Sequence, residues 1–203
     1  MSFPRRQLAL LIALPLTLLP ARGAAQVAWS GRLGALWTST MVTDQIAGST
    51  IELRPAVQPA LVLEASTPIP GRSRLDASAQ LQVTTGTLTS HEGGTNTDVA
   101  GMRTLAFTLG VAGDLLPGVR LRAGAGVVSY ATSEDASVFQ RGAPMRPMGA
   151  AELGYRRHLH GPWWLSTAVQ YDFHPFTTEQ LRSRGYTGSQ AVHRVGITVG
   201  VGR

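Results

Sequence analysis

Apolar and polar side chains alternate with a period of two from Gln26 almost to the end of this chain, and no feature constrains the fold more. Successive side chains of a strand point to opposite faces, so the period reads as a series of strands, each with one apolar face. Val27, Trp29, Leu33, Ala35 and Trp37 share one face, with Ser30, Arg32, Gly34 and Thr38 on the other. The pattern recurs at Leu75–Val83, Leu105–Val111, Val119–Val127, Trp163–Phe173 and Val195–Val201, and more weakly at Ile51–Ser66 and Met145–Arg156. Pro55 and Pro59 remove ladder donors from one of the weaker segments, so a bulge or broken pairing is expected near Pro59. No segment sustains a period of 3.6.

Eight strands result, and the links between them alternate in length. Short turns are expected at Pro68–Ser73, Gly113–Gly118 and Arg157–Pro162, and long polar links at Thr43–Thr50, Thr89–Ala100, Ala131–Pro144 and His174–Gln190. An up-and-down meander with one short-turn rim and one long-loop rim requires this order. The fold class is therefore all-β, an eight-stranded antiparallel up-and-down barrel over residues 26–203.

Such a barrel belongs in water or in a membrane according to which face is apolar. A soluble lipocalin-like binding protein points its apolar side chains inward at a ligand. Here the polar face holds Arg32, Glu64, Asp76, Gln80, Gln82, Arg120, Arg122, Glu152, Arg156, Gln170, Asp172 and Arg194. A small lumen can pair these charges with one another, while water would penalise the uniformly apolar opposite face and hydrocarbon would not. The aromatics agree with the membrane alternative. Trp29 and Trp37 lie eight residues apart on one face, as do Trp163 and Tyr171. Eight residues at ~3.3 Å, tilted by ~40°, span roughly 20 Å, close to the ~25 Å between aromatic girdles. Trp29, Tyr155 and Trp163 would mark the periplasmic girdle, and Trp37, Tyr171 and Phe173 the outer one.

Residues 1–25 read as a secretory signal peptide. Arg5 and Arg6 form a positive start, Leu8–Leu19 an apolar run too short to span a bilayer, and Gly23-Ala24-Ala25 a small-residue cleavage site. Without cysteine the chain has no disulfide, thiolate metal site, cysteine nucleophile or lipoprotein anchor. All 18 basic residues are arginine. Arg5, Arg6 and Arg22 leave with the leader, and those that remain are too dispersed for a nucleic-acid footprint. After the leader, no apolar stretch is long enough for a helical membrane span.

The pattern of the whole mature chain resembles the small eight-stranded outer-membrane barrels of the OmpA/OmpX/OmpW type. Its last strand is similar to the assembly signal of that family, a polar residue, a glycine and two hydrophobic positions, at Arg194, Gly196, Val199 and Val201. The chain departs from the family by ending in Gly202-Arg203, where an aromatic residue is usual. The resemblance implies residence in the outer membrane of a Gram-negative envelope and contact with outer-membrane lipids and lipopolysaccharide. It also implies the barrel-assembly machinery and periplasmic chaperones as partners during biogenesis, and a monomer without a periplasmic domain.

An active site is not evident. The lipid A deacylases place a His-x-Ser pair on one strand face, and none of the five histidines supplies it. Asp172 and His174 share a face near Thr177, Thr178 and Glu179, where an acid–histidine pair could orient a base, but spacing places no nucleophile. His158 and His160 on one turn are too few for a metal site. No catalytic residue, cofactor or metal is therefore expected. The expected role is structural, or interaction at the cell surface, with a salt-bridged polar network plugging the lumen. The alternative is a porin-like narrow channel or a lateral-diffusion route for small hydrophobic solutes; a lipid-modifying enzyme ranks lower. Arg182 and Arg184 in the last long link are candidates for contact with lipopolysaccharide phosphates.

Overall fold

The computed structural model describes residues 27–46, 49–133, 145–177 and 190–203. The leader, most of the Ala131–Pro144 and His174–Gln190 links, and with them Thr178, Glu179, Arg182 and Arg184, lie outside these residues. Ten strand segments are present: β1 (Ala28–Thr38), β2 (Val42–Ile46), β3 (Ser49–Pro55), β4 (Gln58–Ile69), β5 (Arg72–Glu92), β6 (Thr95–Leu116), β7 (Val119–Thr132), β8 (Arg146–His158), β9 (Trp164–Phe176) and β10 (Gln190–Gly202).

Eight of them close a ring in the order β1-β4-β5-β6-β7-β8-β9-β10, every pair antiparallel, with β10 returning to β1 from Ser30↔Gly202 to Thr38↔Arg194. Closure leaves the ring no free edge over its paired length, which is the requirement for strands that cross hydrocarbon. The short rim is made by tight turns. Pro70-Gly71 joins β4 to β5 and Pro117-Gly118 joins β6 to β7, with Gly71 at φ 76° and Gly118 at φ 80°. Proline presets the first central position of such a turn, and glycine takes the left-handed second one without a Cβ penalty.

Two expectations are corrected on the long-link rim. Thr89–Ala100 is not an open loop. β5 and β6 pair continuously from Leu75↔Gly113 up to Glu92↔Thr95, with one register shift at Leu88/Thr89, and a Gly93-Gly94 tip in left-handed conformation closes the hairpin. Most of Thr43–Thr50 likewise belongs to strands: β2 and β3 pair from Val42↔Leu53 to Ile46↔Ser49, and β3 pairs onward with the outer end of β5. β5 runs eight residues past Thr84, its last partner position on β4, or roughly 27 Å along the strand. Leu88 is the one apolar residue of this extension, buried inward, and the rest are polar or glycine, so no apolar–polar alternation shows there. The break expected near Pro59 falls instead at Ala56–Val57, between β3 and β4, while Pro59 keeps its register opposite Ala35.

Candidate functional site

The lumen and the outer wall carry the chemistry of this barrel. On the wall the apolar phase faces outward. Ile197 is 67% exposed, Leu33 65% and Leu109 56%, whereas Arg194 and Arg122 inside are 1% and 2% exposed. This polarity is the inverse of a lipocalin and removes that alternative. Trp29, Trp37, Tyr155, Trp163, Tyr171 and Phe173 all project outward. Phe173 lies over Gly149, where an added Cβ would come within 2.4 Å of its ring, so the aromatic covers a gap in the wall. On the last strand, Arg194 and Gly196 face the lumen and Val199 and Val201 the exterior.

In the half of the lumen nearer the short turns, side chains from opposite staves meet across the axis. Arg32 of β1 grips Glu152 of β8 with a two-pronged contact, 2.5 and 2.7 Å, and reaches Glu64 of β4 at 3.3 Å. Gln80 donates to Glu152 at 2.9 Å. Arg122 donates to Ser78, Gln80 and Thr108 at 2.9, 3.2 and 2.7 Å. Nearer the mouth Arg120 pairs with Asp76 at 2.5 Å, and Arg156 lies 3.9 Å from Glu64 and over the Trp164 ring. Toward mid-barrel Arg194 bonds Gln82 and lies 3.9 Å from Asp172. Gln170 is buried on the same face. The planar guanidinium fork suits this role, since each arginine can serve several acceptors at fixed angles. The cavity bordered by Ser30, Arg32, Glu64 and Glu152 has a volume of about 10 Å³, at the threshold for one water.

The other half of the lumen is apolar, which the sequence reading did not anticipate. Met41, Leu88, Met102, Val128, Tyr130, Met148, Phe176 and Val192 form one buried cluster, with Leu53 packed against it. The signal was present as apolar residues in the lumenal phase, such as Met102 in step with Thr104 and Val192 in step with Arg194. Asp172 and His174 do not form an acid–histidine pair. His174 instead meets the Tyr130 hydroxyl at 2.6 Å and is 1% exposed. His158 and His160 are exposed at the short-turn rim, and the described residues contain no group of three or more metal-ligating acids and histidines.

The wall is split between the outer ends of β8 and β9. β8 and β9 pair from His158↔Trp164 up to Gly149↔Phe173, and no further. The same register sets Pro147 opposite Pro175, so neither strand can offer an N–H there. Arg146 spans the split by donating to the carbonyl of Thr177.

A barrel with a charged interior and an apolar exterior is a transmembrane β-barrel. The chain matches no protein-family model, and no curated protein matches it significantly. Solved structures share its fold at low sequence identity. Neisserial surface protein A superposes with a TM-score of 0.61 at 10% identity, over 89% of this chain and 98% of that one. AlkL, an outer membrane protein determined in DMPC lipid bilayers, gives 0.55 at 13% identity, over 91% and 93%. The outer membrane protein OprG from Pseudomonas aeruginosa gives 0.50 at 10% identity, over 87% and 93%. The fold is that of the small eight-stranded outer-membrane barrels.

Proposed function

We propose that this protein is exported by its residues 1–25 to the outer membrane and acts there as a closed, non-enzymatic barrel, structural or interacting at the cell surface. The filled lumen carries this reading: an arginine–carboxylate network occupies one half and a methionine-rich apolar cluster the other. The protruding β2–β3 and β5–β6 hairpins supply the surface for interaction, and Arg182 and Arg184 would contact lipopolysaccharide phosphates. Insertion through the barrel-assembly machinery and a monomeric state complete the proposal. In planar bilayers the purified full chain is expected to give no steady single-channel steps. Reproducible ohmic steps that persist after repurification would overturn the closed lumen.

The split between β8 and β9 favours one second reading, a lateral route for small apolar solutes. The apolar half of the lumen borders Pro147 and Pro175, which do not pair with each other, so a solute there would reach the wall past His174 and the Arg146 bridge. Cells expressing the protein would then take up a small alkane-like probe faster than cells without it. A Met148→Cys/His174→Cys disulfide across the split would abolish the gain. Uptake equal in both strains would remove this reading.

A further inference from the structure

The outer wall carries cations only at its margins. Among the described residues of the ring, Arg103, Arg157 and Arg203 are the arginines in the outward phase, each just past the apolar run of its strand. Arg103 ends the run of β6 at the long-link side. Arg157 follows Leu153 and Tyr155 on β8, and Arg203 follows Val199 and Val201 beyond β10, both at the short-turn side.

The two at the short-turn side fall together. Arg203 and Trp29 exchange both backbone hydrogen bonds at 2.8 Å, so their side chains are direct cross-strand neighbours. The β9–β10 register, Gly202↔Trp164 and Val201↔Leu165, sets Trp163 against Arg203 from the other side. Arg157 pairs with Leu165 and so sits diagonally from Trp163. On the lipid-facing surface the order is thus Trp29, Arg203, Trp163, Arg157, across four adjacent strands. Strand spacing puts the two arginines about 10 Å apart laterally, so two extended side chains can converge on one group.

Neither arginine makes a salt bridge or side-chain hydrogen bond among the described residues. The nearby acids are engaged on the lumenal side: Asp76 and Asp114 face Arg120, and Glu64 faces Arg32 and Arg156. Among the described residues the cation–π contact is Arg156 over Trp164 inside the barrel, so neither Trp29 nor Trp163 holds a guanidinium from them. Arg203 therefore lies between two exposed indoles with Arg157 beyond the second, and neither guanidinium has a side-chain carboxylate partner among the described residues.

We propose that Trp29, Arg203, Trp163 and Arg157 form a binding site for an anionic phospholipid headgroup in the periplasmic leaflet. The arginines take the phosphate oxygens, and the indoles, 63% and 48% exposed, flank the glycerol and the first acyl carbons. An anionic headgroup fits better than a zwitterionic one, because a headgroup ammonium would meet two guanidiniums and no side-chain carboxylate.

Native mass spectrometry of the full chain in dodecyl maltoside, titrated with phosphatidylglycerol or phosphatidylethanolamine, tests this. The wild type is expected to retain one phosphatidylglycerol in preference to phosphatidylethanolamine. Arg157→Gln/Arg203→Gln should weaken that retention by about tenfold or more, while Arg103→Gln leaves it unchanged. Arg157→Lys/Arg203→Lys keeps the charge without the fork and should fall between. Each variant is first checked for the gel shift of a folded barrel, and a pair that fails to fold is replaced by the single Gln variants. Equal retention of the two lipids, no retention by the wild type, or an equal loss in Arg103→Gln would overturn the site.

Discussion

Glu152→Ala is expected to lose about 3–5 kcal/mol of unfolding free energy, read from urea titrations in phospholipid vesicles. Glu152 takes both prongs of Arg32, and the two residues are 8% and 3% exposed. Removing the carboxylate strands a guanidinium beside a cavity with room for about one water. Glu64, at 3.3 Å from one Arg32 nitrogen and also facing Arg156, compensates only in part. Replacing both members, as in Arg32→Met/Glu152→Leu, removes the stranded guanidinium along with the pair but leaves Glu64 with Arg156 alone, at 3.9 Å. That variant should recover part of the loss, as buried ion pairs exchanged for apolar residues of similar volume commonly do. A loss below about 1 kcal/mol for Glu152→Ala would mean that water reaches Arg32 freely. The lumen would then be open, and the closed-barrel proposal would fall with it.

Ile197→Arg gives the second large effect, and here exposure and cost run in opposite directions. Ile197 is 67% exposed and lies mid-strand between Ala35 and Val169. At a water-facing position so open, substitution changes stability by only about 0.5 kcal/mol either way. At the lipid-facing middle of a transmembrane strand an arginine costs about 2–4 kcal/mol. The same vesicle titration measures it, with Arg203→Ala at the rim as the reference for a marginal position. A near-neutral Ile197→Arg would place this wall in water.

Much of this architecture is legible in the sequence because a bilayer-spanning strand is asymmetric at every residue. One side meets lipid and the other the lumen, so Trp29 to Trp37 and Val195 to Val201 alternate visibly. Beyond the bilayer that asymmetry ends. The stretch Thr89–Ala100 and the short β2 carry no period, and read as loops although they pair. The phase of each strand also sorts Arg32, Arg122 and Glu152 to the lumen. It cannot say that Arg32 meets Glu152 rather than Asp172, because partners 120 residues apart are set by how the staves stagger around the ring. The apolar half of the lumen was hidden for another reason. Met102, Val128 and Val192 stand where alternation calls for polar residues, and one strand at a time they look like lapses of the pattern. They become a cluster only when eight staves are closed. The split between β8 and β9 was hidden likewise, since Pro147 and Pro175 are informative only once they stand opposite each other.

The central claim is that eight strands close into a barrel with its apolar wall in lipid, and heat modifiability in a fractionated membrane tests it most directly. The full chain would be expressed in a Gram-negative host, the outer-membrane fraction separated, and samples run in SDS with and without boiling. A membrane-bound band whose mobility changes only on boiling is the result this structure predicts. A mature chain recovered from the soluble periplasm, with the same mobility before and after heating, would contradict it.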